Sequence, residues 1–96
     1  MSGAKKIAVW HGRTESHGFM VDVFEDEEQG LFVANITAST PALAPALRQP
    51  GQPVARMSFE EPEKLRNSDL EILKALTMAR LTERYGKVLI FQERSA

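Results

Sequence analysis

Residues 67–86, NSDLEILKALTMARLTERYG, are the one stretch of this chain with a full set of helix signals. Ser68 followed three residues later by Glu71 reads as a capping box: the serine oxygen accepts from a free backbone N–H and the glutamate reaches back to the cap. Asp69 and Glu71 put negative charge at the positive end of the helix dipole, and Arg80 and Arg84 put positive charge near the other end. Good helix formers fill the interior, and Gly86 offers a left-handed stop. The spacing predicts a helix over 68–85.

At about 100° per residue, Ile72, Leu73, Leu76 and Ala79 share one face of that helix, which is expected to lie on a sheet. Leu70, Met78, Leu81 and Tyr85 fall on roughly the opposite side. A helix apolar on two sides needs two partners, so this second quartet is the expected partner-binding surface. Its simplest occupant is a second copy of the chain, since an isologous dimer needs one self-complementary patch.

The segments around the helix supply the sheet. Lys5–His11 alternates as a strand, with Ile7 and Val9 on one face and Ala8 and Trp10 on the other. The polar, glycine-bracketed 12–18 stretch reads as a turn. Phe19–Glu25 is a second strand, with Phe19, Val21 and Val23 on one side. Asp26-Glu27-Glu28-Gln29-Gly30 is a tight acidic connection, and Leu31–Ser39 is a third strand with Phe32, Ala34, Ile36 and Ala38 on its apolar face. Pro41, Pro45, Pro50 and Pro53 interrupt regular structure over 40–53. Its apolar residues, Leu43 and Leu47 among them, make this segment the alternative cover for the helix's second face. Val54–Phe59 reads as a short edge strand or extended run, Glu60–Leu65 as the lead into the helix, and Lys87–Glu93 as the last strand. The resulting class is α+β: an antiparallel sheet, ordered β-β-β-(β)-α-β, with one helix across one face.

Composition narrows the function classes. Ninety-six residues make a single domain with a modest core, and the absence of cysteine removes disulfides and cysteine–zinc sites. The formal net charge of −1 argues against strong attraction to nucleic acid or acidic membranes. No apolar run approaches the length of a membrane helix or a signal-peptide core, so a cytoplasmic protein is expected.

The chemistry-bearing motifs are few. His11 and His17, with Glu15 between them, offer a ligand set for a metal, but at no established metal-site spacing. No serine stands in a nucleophile-elbow context. The acidic run 25–28 lacks calcium-loop spacing, and Gly86-Lys87 lacks the first glycine of a phosphate loop. No catalytic residue and no cofactor are implied. Arg80, Arg84, Lys87 and Arg94, with Trp10, Phe19, Phe24 and Phe91 as stacking platforms, make up a nucleic-acid reading. Arginines at a helix C-terminus and aromatics in alternating strands have a simpler structural role.

The piece Phe19–Ala34, FMVDVFEDEEQGLFVA, resembles the paired-strand opening of HicB-type antitoxins: an extended strand, an acidic-glycine turn and an aromatic-valine strand. In that family a helix follows the strands closely, whereas here a proline-rich stretch intervenes. The resemblance implies a regulatory domain that binds and masks another protein. With the two-sided helix, it favours a non-enzymatic protein-binding or self-assembly module.

Overall fold

A computed structural model describes residues 4–40 and 62–95. The elements run β1 (Ala4–Thr14), β2 (Gly18–Asp26), β3 (Leu31–Ser39), β4 (Glu63–Asn67), α1 (Leu70–Tyr85) and β5 (Val88–Ser95). The five strands form one antiparallel sheet in the order β4-β3-β2-β1-β5, and α1 lies across one face against β3, β4 and β5. The α+β class and the β-β-β-(β)-α-β order expected from sequence are observed, with the optional strand before the helix present.

The meander follows from period-two alternation and its turns. Phe19, Val21 and Val23 of β2 and Ala34, Ile36 and Ala38 of β3 are buried on the helix side, beside Trp10 of β1. Gly30 takes a φ of 64°, which glycine adopts without steric cost, and Asp26 Oδ1 accepts from the Gln29 amide at 3.2 Å to close the β2–β3 turn. β1 departs from simple alternation. Its pairing with β2 shifts between Lys6 and Ala8, so Ile7 is an extra residue in the ladder and packs with Ala8 against the core.

Three local expectations need correction. The helix cap is Asp69, not Ser68: Asp69 Oδ1 accepts from the amides of Glu71 at 2.9 Å and Ile72 at 3.2 Å, and Asn67 Oδ1 in turn receives the Asp69 amide. The fourth strand is Glu63–Asn67, in the stretch read as the lead into the helix. The 54–59 run and the covering role of Leu43 and Leu47 lie outside the described residues.

The third correction concerns which way the helix faces. Leu73 and Leu81 are 0% and 1% exposed, and Leu70 and Tyr85 pack against the same core. The inward stripe is Leu70, Leu73, Thr77, Leu81 and Tyr85. It passes through Thr77, whose hydroxyl donates to the Leu73 carbonyl at 2.8 Å and is thereby satisfied within the core. A threonine in the middle of the seam hides it from apolar periodicity. Ile72 and Leu76, expected on the sheet, are instead 49% and 43% exposed.

Candidate binding surfaces

The first turn is built around Thr14. Its backbone N–H donates to the His17 carbonyl at 2.8 Å, and its Oγ1 accepts from the amides of Ser16 and His17. Ser16 Oγ lies 2.7 Å from His17 Nδ1 and donates to the Tyr85 carbonyl at 3.4 Å. The His17 ring stacks on Tyr85 with centroids 4.5 Å apart. His17 thus fastens the β1–β2 turn to the C-terminal end of α1. His11 alternates with buried Trp10 and faces away from the helix, beside Met20 and Gln92. The structure does not bring the two imidazoles together. Among the described residues no group of three or more potential metal ligands gathers.

Of the expected partner-binding quartet, Leu81 is in the core, Leu70 and Tyr85 pack against it, and Met78 is half-buried at its margin. The quartet is not an outward-looking patch. The solvent side of α1 instead carries Ile72, Ala75, Leu76 and Ala79, all exposed, at i, i+3, i+4 and i+7. Along its β4 side a shallow groove is lined by Leu65, Leu76, Ala79 and Arg80. There Glu63 holds both helix arginines, with Arg80 Nε at 2.6 Å and an Arg84 guanidinium nitrogen at 3.0 Å. The hydrogen bond to Glu63 raises the Arg80 pKa further above its ordinary value.

The sheet face opposite α1 is uncovered by any described element. Cross-strand neighbours share a face, so the register fixes its composition. One row reads Arg94–Val9–Asp22–Asn35–Lys64, and the next reads Lys6–Phe24–Val33–Arg66. A third contains Gln92, His11, Met20 and Thr37, and Arg13 lies beyond it. Among the described residues, five basic side chains on this face therefore stand against two carboxylates, Asp22 and Asp26. Lys6 Nζ sits 3.0 Å from Asp22 Oδ1, an ion-pair separation without hydrogen-bond alignment. The Asn35 side-chain oxygen is buried beside this row with no hydrogen-bond partner. No ion pair engages Arg13, Lys64, Arg66 or Arg94 among the described residues, whereas Lys74, Arg80 and Arg84 of the helix layer are all paired.

Of the residues in the nucleic-acid reading, Trp10 and Phe19 are buried and Phe91 packs on them, with centroids 5.9 and 6.1 Å away. Arg80 and Arg84 are tied to Glu63. Phe24 and Arg94 stand on the uncovered face, where the sequence reading did not place Lys6, Lys64 or Arg66. Their common face becomes legible only once strand register is known.

Compared with known proteins, the chain matches no protein-family model, no curated protein and no solved structure, so the likeness of its 19–34 hairpin to HicB-type antitoxins remains a local one.

Proposed function

We propose that this chain is a non-enzymatic binding module that pairs with a second copy of itself through the solvent side of α1. The observation that carries the reading is the exposed stripe Ile72, Ala75, Leu76 and Ala79. Its spacing is that of a helix–helix seam, and the two alanines let another helix approach to about 8 Å between axes. The charges favour a copy of the same helix in the antiparallel sense. Asp69 and Glu71 mark the first turn and Arg84 the last, so a two-fold pair sets acidic beside basic ends and opposes the dipoles.

The scale of the contact sets the strength. A helix of 16 residues is about 24 Å long, and a four-residue stripe on it covers far less than the roughly 800 Å² per partner of a standard interface. The dimer is therefore weak, with a dissociation constant roughly in the high micromolar range. Sedimentation velocity over a concentration series tests this. The wild-type chain should move towards a dimer as concentration rises, and Leu76→Lys should stay monomeric with an unchanged melting temperature. A wild-type chain that remains monomeric at the highest soluble concentration overturns the proposal, as does a Leu76→Lys chain that dimerises equally well.

A further inference from the structure

We propose that the uncovered face of the sheet is a binding platform for single-stranded nucleic acid. This goes beyond self-association and uses the opposite side of the molecule. The formal net charge of −1 conceals how the charge is distributed. Glu63, Glu83 and Glu93 pair with Arg80, Arg84 and Lys74 of α1. On the far face, Arg13, Lys64, Arg66 and Arg94 have no such partners among the described residues, and Lys6 is shared with Asp22.

Those cations are spread across the sheet from β4 to β5, a span of four inter-strand steps or about 19 Å. A single strand laid across the sheet would pass its phosphates over Lys64 or Arg66 at one edge and Arg94 at the other. Between them lie half-buried Phe24, Val9 and Val33, apolar ground for base faces. Thr37 and Gln92 stand in the adjoining row as hydrogen-bonding groups for base edges.

The open sheet surface selects among anions. Reading a duplex groove takes an element that protrudes into it, and among the described residues none rises from this side. Unpaired bases can lie flat and stack on an aromatic ring while the backbone follows the positive charge. An acidic peptide would use the cations but not Phe24.

Fluorescence anisotropy tests the proposal with the intact chain and a labelled pyrimidine RNA of about twelve nucleotides. Its duplex and a labelled poly-glutamate peptide of similar charge serve as comparisons. The single strand should bind best, with affinity falling with salt at a log–log slope of roughly −3 if four cations are engaged. Arg66→Glu with Arg94→Glu should weaken binding by about a hundredfold, the expected scale for reversing two phosphate contacts. Lys74→Glu, on α1 in the opposite layer, should leave it within about twofold. Phe24→Leu keeps an apolar side chain and removes the ring, and should cost about fivefold or more. Melting curves on each variant confirm that the fold is retained. Absence of binding at low salt overturns the proposal. So does equal binding of poly-glutamate or of the duplex, or equal loss with Lys74→Glu.

Discussion

Gly12→Ala should be among the most damaging single-methyl additions to this protein, because Gly12 is where β5 crowds onto β1. A Cβ at Gly12 would stand 1.8 Å from the Ile90 carbonyl oxygen, 2.6 Å from its carbon and 2.9 Å from Phe19 Cζ, where ordinary contact begins at 3.4 Å. The two closest atoms are backbone, so no rotamer change relieves the clash. The strands must part by roughly 1.5 Å. The register between β1 and β5 already shifts between Arg13 and Thr14, with Leu89 as the extra residue, so local slack is used up. Among the described residues β5 is an edge strand paired with β1 alone, and it is the element that would yield.

Overpacking of this kind costs about 1–3 kcal/mol, and the ladder bonds loosened near Phe91 add about 1 kcal/mol each. A loss of roughly 3 kcal/mol lowers the melting temperature of a domain this size by roughly 15 °C. Urea and thermal unfolding followed by Trp10 fluorescence will measure it, since Trp10 lies next to Phe91 in the affected layer. Gly18→Ala is the matched control: its Cβ would find only the Gly12 carbonyl oxygen, at 4.0 Å, so stability should change by less than about 0.5 kcal/mol. A Gly12→Ala protein within about 1 kcal/mol of wild type, or a Gly18→Ala protein hurt as badly, would refute the reasoning.

Two further substitution pairs probe the helix. Leu81→Ala empties a fully buried position and should destabilise by about 3 kcal/mol in urea unfolding, while Ile72→Ala on the solvent side should cost under about 1 kcal/mol; the reverse order would mean that α1 faces the other way. Asp69→Ala removes the oxygen that receives two helix amides and should cost about 1 kcal/mol, whereas Ser68→Ala should cost less than half of that, and equal losses would reinstate the serine cap.

The differences between sequence and structure share a cause. Apolar periodicity weighs residues by type, and Thr77 counts as polar although its hydroxyl is satisfied by the Leu73 carbonyl inside the core. With that one residue counted as polar, the expected inward face is rotated by about a third of a revolution from the observed one. In the same way, Ser68 and Asp69 are both good caps by type, and the hydrogen bonds from the Glu71 and Ile72 amides to Asp69 Oδ1 decide between them. Ile7 reads as an alternating strand residue until pairing with β2 shows it to be the extra one.

Local physics in the chain determined the elements themselves. Period-two alternation made Phe19–Val23 and Ala34–Ala38 strands with one dry side, Gly30 allowed the turn between them, and a helix-forming run ending at Gly86 made α1. The same residues implied an antiparallel sheet with one helix across it. Strand order, the pairing of β5 with β1 and the assembly of Lys6, Lys64, Arg66 and Arg94 on one face were decided by tertiary structure. Side chains from β1, β4 and β5 become neighbours only when register aligns them, and charges far apart in sequence then add while the net charge of the chain stays near zero.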